Sequence, residues 1–345
     1  MIAELTIPVI VAPMAGGPST PELVAGAVDA GAFAFLAAGY LTADALRAQI
    51  DATRALTGKP FGVNLFVPGA ESADDLEPYR DLVGREAARL GVEPGNPAWD
   101  DDQFAAKLDV VLDARIPVVS FTFGLPSSAD LDRLRSAGVV TVATVTTPAE
   151  ARAARAVDAL CVQGGAAGAH RGSFANEVHL YDLLPLLRLI AAETDQPLIA
   201  TGGLMHGADV AAVIAAGAVA AQLGTAFLRC PEAGTQPAHR AALAAGERDT
   251  VVTRAFSGRP ARGMANRFIA EYGPHAPAAY PQIHHLTRPV RAAAARAGDQ
   301  EAMALWAGQG YRLARELPVA EVIDALSHEF EEAVTRLAHR VPRTG

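Results

Sequence analysis

The 345-residue sequence predicts an α/β fold, a (β/α)8 TIM barrel with a helical insertion and a C-terminal helical extension. Short, continuously apolar runs alternate with helical patterns, which is typical of parallel strands covered on both faces. Eight such strand–helix units fit into about 230 residues, the size of a TIM barrel. The alternative, a doubly wound sheet, usually has a glycine-rich phosphate loop after its first strand. Here the loops richest in small residues follow the sixth, seventh and eighth strands instead.

The eight predicted strands begin near Val9, Phe33, Phe61, Val118, Val139, Ala159, Pro197 and Val219. Hydroxyl residues at N-cap positions, often followed by proline, predict the starts of several intervening helices. The predicted helices cover residues 21–30, 42–56, 128–137, 147–156, 180–194 and 206–216.

Two segments depart from this repeat. Residues 68–116 contain helical stretches over 77–90 and 101–115, and we expect this insertion after the third strand to cover the substrate side. After about Pro231 the pattern is helical and loop-rich, with a final helix from about Pro318 to His339. We therefore expect a barrel domain over residues 1–235. A helical extension over 236–345 would close the barrel mouth on the substrate side.

Composition excludes several classes of protein. A net charge of −9 argues against nucleic-acid binding, which normally needs a basic face. The two cysteines, Cys161 and Cys230, lie in or beside apolar segments, which predicts buried free thiols in a reducing compartment. Residues 1–4 lack a basic region, so we expect no secretion signal and a cytoplasmic location. The apolar segment 208–228 is interrupted by polar residues and predicts a buried helix and strand, not a membrane span.

The loop after the sixth strand is the first candidate for chemistry. Residues 163–172 are mostly Gly and Ala, so this backbone can approach a ligand closely. Within it, His170 is the side chain suited to proton transfer near neutral pH. Arg171 beside it could attract an anion or simply make a structural pair.

The remaining strand ends predict a flat cofactor that carries one phosphate. Gly202 and Gly203 follow the seventh strand, and the run 222–225 (Gln222, Leu223, Gly224 and Thr225) follows the eighth, where this fold commonly binds phosphate. Thr225 could equally serve as an ordinary helix cap.

Three further side chains at strand ends suit a heteroaromatic ring. The amides of Asn64 and Gln163 can donate to and accept from its edge, and Met14 can pack against it. Asn64 could instead satisfy backbone groups. No lysine at a strand end is placed for a Schiff base, and no histidine has metal-ligand spacing, so FMN is favoured over NAD(P) or pyridoxal phosphate.

Five segments, taken in order, resemble the nitronate monooxygenase family, formerly called 2-nitropropane dioxygenase. The resemblance runs from about Pro8 to Gly310 and implies a TIM barrel with FMN at the strand ends and a second domain over it. Its segments are Ala12–Gly17, Gln163–Gly172, Ala200–Leu204, Gln222–Leu228 and Trp306–Gly310.

Carried over by position, the resemblance implies His170 as the catalytic histidine. It implies a substrate pocket lined by Tyr280, His284 and Arg288, although Tyr280 could equally be core. It implies FMN contacts at Pro13, Met14, Asn64, Gln163, Gly168, Gly203, Gln222, Gly224 and Thr225. The chain departs from the family pattern at Ala166, where the family has Glu, and at Ala169, where it has Gly.

The resemblance implies FMN-dependent oxidation of alkyl nitronates, such as propionate 3-nitronate, by dioxygen to a carbonyl compound and nitrite. His170 could abstract the α-proton of a neutral nitroalkane or, as imidazolium, hold the nitronate. Arg171 or Arg288 could attract an anionic tail. Two alternatives stay open: an NAD(P)H-dependent flavin reductase of an enoyl thioester or quinone, and a non-enzymatic flavin-binding barrel. The sequence leaves the oligomeric state open.

Overall fold

The computed structural model describes residues 5–340. Eight parallel strands close into a barrel in which the last strand pairs with the first, so the predicted fold class is confirmed. The barrel strands are β1 (Val9–Val11), β2 (Phe33–Ala37), β3 (Gly62–Phe66), β4 (Val118–Thr122), β5 (Val140–Val145), β6 (Ala159–Gln163), β8 (Leu198–Thr201) and β9 (Ala220–Leu223).

The helices surround the barrel or build the C-terminal extension. They are α1 (Pro21–Asp29), α2 (Ala43–Leu56), α3 (Glu77–Arg89), α4 (Phe104–Asp113), α5 (Ser128–Ser136), α6 (Pro148–Ala153), α7 (Leu183–Ala191), α8 (Gly207–Ala215), α9 (Pro237–Ala245), α10 (Arg267–Tyr272), α11 (Gln282–Ala297) and α12 (Val319–Arg340). Three short 3₁₀ turns span Thr225–Phe227, Gly273–His275 and Tyr311–Leu313.

Threonine hydroxyls cap the helices at the predicted positions. The side chains of Thr20, Thr42 and Thr147 each accept the backbone N–H three residues ahead. Each bond satisfies an amide that the first helical turn leaves free. The helix starts read from the sequence at these three places are therefore confirmed.

The core has three parts, which follow from the alternation of side chains along each strand. Phe33 and Phe35 point into the barrel, while Ala34 and Leu36 point outward to the helices. A separate apolar cluster in the extension contains Phe256 and Phe268 and also takes in residues of α3.

The two helices of the predicted insertion 68–116 pack against different parts of the protein. Tyr79 and Val83 of α3 belong to the apolar cluster of the extension. Leu108 and Val111 of α4 belong to the cluster between barrel and helices. Helix α4 therefore serves as the barrel helix between β3 and β4, whereas α3 and the loop after it, where the N–H of Gly95 donates to the carbonyl of Leu286, join the extension.

The C-terminal region differs from the expectation of helices and loops alone. Strands β10 (Thr250–Thr253) and β11 (Ala261–Met264) form an antiparallel pair, and β11 also pairs with β7 (Ala169–His170). Cross-strand pairing, which local sequence does not encode, makes these short segments strands. Helix α12 also departs from the expected position over the barrel mouth, because it packs against α8 and α1.

Both cysteines are buried free thiols, as predicted. The apolar segment 208–228 forms α8 followed by β9, the predicted helix and strand. Between residues 5 and 340, no helix is long and apolar enough to cross a membrane. Residues 1–4, on which the expectation about secretion rests, lie outside the described residues.

Candidate functional site

A cavity of about 640 Å³ opens at the carboxyl ends of the barrel strands, a volume in the usual range for ligand sites. The loops that follow the strands line it, as the fold predicts. All the residues predicted to contact the cofactor line this cavity: Pro13, Met14, Asn64, Gln163, Gly168, Gly202, Gly203, Gln222, Leu223, Gly224 and Thr225. His170, His284 and Arg288 line it as well.

His170 lies on β7, surrounded by aromatic side chains. Its ring centroid is 5.7 Å from that of Phe123, 5.9 Å from Tyr280 and 5.7 Å from Trp306. Burial lowers the pKa of His170 to about 3, and the positive charges of Arg259 and Arg291 act in the same direction. The imidazole is therefore neutral at physiological pH, which disfavours the imidazolium role.

Gln163 holds the loop that carries His170. Its Nε2 donates to the carbonyl of His170 at 3.1 Å, and its Oε1 accepts the N–H of Gly172 at 2.9 Å. Both ends of this amide are thus engaged within the loop. Although Gln163 lines the cavity, its clearest role is to fix the backbone at His170.

Arg171 is not brought into the cavity, contrary to the expectation of a substrate contact. Its side chain is 1% exposed, and its guanidinium donates to the carbonyls of Gly164 at 2.6 Å and Gln163 at 2.8 Å. Arg171 follows the last residue of β7, and these two bonds hold its guanidinium away from the cavity. Arg171 therefore stabilises the loop from the side that faces away from the cavity.

Asn64 directs its amide nitrogen into the barrel. Nδ2 donates to the hydroxyls of Ser120 at 2.9 Å and Thr122 at 3.0 Å. These bonds satisfy strand groups, as the structural alternative predicted, yet they leave Oδ1 as an acceptor for a ligand.

The predicted phosphate loops offer free donors. Within residues 5–340, the backbone N–H groups of Gly203, Gly224 and Thr225 donate to no protein acceptor. The Thr225 hydroxyl accepts the N–H of Gly308 at 3.0 Å, so its own proton can go to a ligand. Free amides and a hydroxyl on the last two barrel strands are the donor set that a phosphate needs. These residues fit the phosphate of FMN.

Gly168 allows a close approach between this loop and the extension. A Cβ atom there would lie 2.5 Å from the backbone nitrogen of Gly308. A side chain at this position would push the two segments apart. The resemblance implied an FMN contact here, and the structure adds a packing reason for the glycine.

Four residues at or beside the cavity were not singled out from the sequence: Tyr40, Ser257 and Arg291 line it, and Arg259 packs on the lining residue Phe123. The ring of Tyr40 stacks on His284 with centroids 3.9 Å apart and planes 6° apart. Arg291 lies seven residues after His284, on the same face of α11, a spacing that could have suggested it. Ser257 and Arg259 lie between β10 and β11, which sequence reasoning did not detect.

Arg291 fixes the protonation of His284. Its Nη2 lies 3.2 Å from Nδ1 of His284 and donates to the His284 carbonyl at 3.0 Å. A guanidinium can only donate, so Nδ1 accepts and the ring proton is assigned to Nε2. Burial and the charge of Arg291 hold the pKa of His284 well below its usual value. His284 is therefore a neutral donor at the cavity wall.

Tyr280 lies beside the cavity without being part of its lining. Its ring packs against Phe123 and His170, and its hydroxyl lies 3.4 Å from that of Tyr40. The sequence left open whether Tyr280 is core or pocket, and the structure places it at the boundary.

Buried arginines give this region a positive potential. Arg259 packs its guanidinium 4.0 Å from the centroid of the Phe123 ring and donates to the carbonyl of Ser173. Within the described part of the chain, Arg171, Arg259 and Arg291 form no ion pair with a carboxylate. Arg291 lines the cavity, whereas Arg171 and Arg259 lie outside its lining, and an unpaired cation at the cavity wall favours an anionic ligand.

Comparison with known proteins agrees with this geometry. The family model for nitronate monooxygenase matches residues 1–329. A probable nitronate monooxygenase of Staphylococcus aureus (strain Newman) is 37% identical, with 95% of this chain and 96% of the relative covered. A structure of nitroalkane oxidase from Streptomyces ansochromogenes is 49% identical over 97% of this chain and 99% of that chain, with a TM-score of 0.95. FabK from Thermotoga maritima is 26% identical over 99% of this chain and 97% of that chain, with a TM-score of 0.76.

Proposed function

Because this chain is an oxidoreductase that belongs to the nitronate monooxygenase family, we propose that it oxidises alkyl nitronates with bound FMN and dioxygen. The products would be a carbonyl compound and nitrite. The observation that carries the proposal is a neutral His170 in a cavity that offers phosphate donors and unpaired cations. A substrate such as propionate 3-nitronate, which is an anion, suits this potential.

The cofactor would be held by the residues of the strand ends. Gly203, Gly224 and Thr225 would bind the phosphate, and Met14 and Asn64 would contact the ring system. Bound FMN would supply the electron acceptor that passes electrons to dioxygen.

The chain's own residues bind, orient and move a proton. Neutral His170 would remove the α-proton of a nitroalkane, which converts it to the nitronate. His284 would donate from Nε2 to the anion that results, and Arg288 would attract a charged tail. The aromatic rings around His170 exclude water from the reacting centre.

Oxygen uptake tests this proposal directly. Purified protein should show an FMN spectrum and consume oxygen with propionate 3-nitronate. His170→Asn should lose oxidation of neutral nitroalkanes by about 10²- to 10⁴-fold while it retains flavin. A protein that cannot be reconstituted with FMN would contradict the proposal. Rapid bleaching of FMN by NADH without nitronate turnover would favour the flavin reductase alternative.

A further inference from the structure

We propose that Tyr40 donates its phenolic hydrogen bond to an oxygen of the anionic substrate, with Asp102 and Lys107 as its positioning residues. This inference rests on the proposed function, since it takes a two-oxygen anion such as a nitronate as the ligand. It concerns the loop after β2 and the start of α4, to which the sequence assigned no chemistry.

The backbone of Tyr40 is strained and held in place. Its φ of +69° lies in the left-handed region, which is unfavourable for a bulky side chain. Its N–H donates to Oδ1 of Asp102 at 2.9 Å, across 62 positions of sequence. Strained residues that the surroundings hold in place cluster at functional sites. In this conformation Tyr40 lines the cavity.

A buried ion pair holds Asp102, which accepts the N–H of Tyr40, in place. Oδ2 of Asp102 lies 2.7 Å from Nζ of Lys107, whose side chain is 1% exposed. The neighbouring Gln103 accepts the N–H of Ala43 through Oε1 at 2.9 Å. Asp102 and Gln103, just before α4, thus accept backbone N–H groups at both ends of the turn that carries Tyr40. Removing one member of a buried pair leaves the other uncompensated, so the geometry depends on both.

The ring of Tyr40 is fixed on two sides. It stacks on His284, and it meets Phe66 edge-on at a centroid distance of 5.5 Å and an angle of 78°. Because Arg291 in turn binds His284, the ring has a rigid neighbour and little freedom to turn away. Preorganised donors bind an anion without the entropic loss of ordering a mobile side chain.

The hydroxyl of Tyr40 is a free, neutral donor. Its 3.4 Å separation from the Tyr280 hydroxyl exceeds the length of an ordinary O–H···O bond. A ligand oxygen about 2.7 Å from the Tyr40 hydroxyl could therefore accept its hydrogen bond. Burial raises the pKa of Tyr40 to about 12, so the proton stays on the phenol throughout the working pH range. Charge-assisted bonds of this kind are stronger than neutral ones.

The experiment uses the FMN-loaded enzyme, an alkyl nitronate and isobutyrate, a planar carboxylate that mimics the two oxygens of a nitronate. Tyr40→Phe keeps the stack on His284 and removes the hydroxyl. We expect the Kd of isobutyrate, read from the flavin difference spectrum, and the KM of the nitronate to rise about 10- to 100-fold, with flavin content unchanged. An unchanged Kd in Tyr40→Phe would overturn the proposal.

Variants of Asp102, made with and without Tyr40→Phe, test whether Asp102 acts by positioning Tyr40. Asp102→Ala should raise the same Kd, while Asp102→Asn, which keeps an acceptor for the Tyr40 N–H but removes the counter-ion of Lys107, should raise it less. In the Tyr40→Phe background, Asp102→Ala should add little further loss; fully additive losses would show that Asp102 does not act through Tyr40.

Asp109→Ala, an exposed change on α4, is the matched control. If wild-type protein binds isobutyrate through Tyr40 but oxidises no nitronate, the proposed function fails and this inference survives as a carboxylate site.

Discussion

The Nε2 atom of His170 lies 2.8 Å from Oγ of Ser257. His170 belongs to the loop after barrel strand β6, and Ser257 belongs to the turn between β10 and β11 of the extension. The hydroxyl also accepts the N–H of Arg259 at 3.3 Å and lies 3.2 Å from the Arg259 carbonyl. The proposed base and the group that orients it therefore come from different parts of the fold.

Ser257→Ala should lower kcat/KM for a neutral nitroalkane about tenfold, because the imidazole loses the bond that aligns its ring. Steady-state oxygen uptake measures this effect, and the flavin content should not change. Ser136→Ala, an exposed change on α5, serves as the control. Equal losses with a preformed nitronate, which needs no deprotonation, would contradict an effect on the base.

The activity should persist to lower pH than it would with a histidine base of ordinary pKa. Burial and the charges of Arg259 and Arg291 lower the pKa of His170 to about 3, so the neutral base persists well below pH 6.5. We expect kcat/KM for a neutral nitroalkane to stay level from pH 8 to about pH 5. Arg259→Gln removes one charge and should move the acid limb to higher pH. A wild-type profile that falls with a midpoint near 6.5 would show that His170 is not shielded in this way.

The free energy of unfolding should fall on acidification because a second histidine, His239, is buried in its neutral form. His239 on α9 is 8% exposed, and burial lowers its pKa to about 4. A folded pKa below the unfolded value of about 6.5 means that stability is full above pH 6.5 and is lost as the pH falls toward 4. Between pH 7.5 and pH 5, His239 should account for up to about 2 kcal/mol of lost unfolding free energy. His239→Gln should reduce this dependence in urea titrations by that amount, with the rest left to His170 and His284, whereas the exposed His328→Gln should leave it unchanged.

The barrel could be predicted from sequence because its signals are local. Apolar runs such as 33–37 and caps such as Thr42 specify strands and helix starts within a few residues. The partners of the candidate base could not be predicted in this way. Ser257 lies 87 positions from His170, and the contact depends on the pairing of β7 with β11. Arg171 was misplaced because nothing in the sequence shows that its guanidinium binds the backbone carbonyls of Gln163 and Gly164 in the preceding loop.

The same loop contains a strained residue that the sequence comparison singled out. Ala169 has a φ of +58°, a conformation that favours glycine, and glycine is what the resemblance implies at this position. Ala169→Gly should relieve about 1 kcal/mol of strain, less the entropy that glycine adds to the unfolded chain. Urea unfolding should show a small net gain. Gly246→Ala, at a φ of +68° with room for a methyl group, is the reciprocal variant and should destabilise by a similar amount.

Glu86 joins α3 to the extension, and its loss should weaken the contact between them. Its side chain is 2% exposed and accepts bonds from Arg89 at 2.7 Å, Arg267 at 2.6 Å and Tyr272 at 3.1 Å. Burial raises the pKa of Glu86, but the bonds from Arg267 and Arg89 outweigh this and hold it below the usual value.

Glu86→Gln removes the charge while it keeps the shape of the side chain. We expect a loss of about 2–4 kcal/mol in unfolding free energy, because two guanidiniums lose a buried counter-ion. The difference from wild type should shrink as the pH falls, since the native carboxylate is then protonated as well. Glu77→Gln, in an exposed pair with Arg80, should change stability by less than about 0.5 kcal/mol. Equal effects of the two variants would mean that α3 is held by its apolar contacts with the extension and not by this ion-pair network.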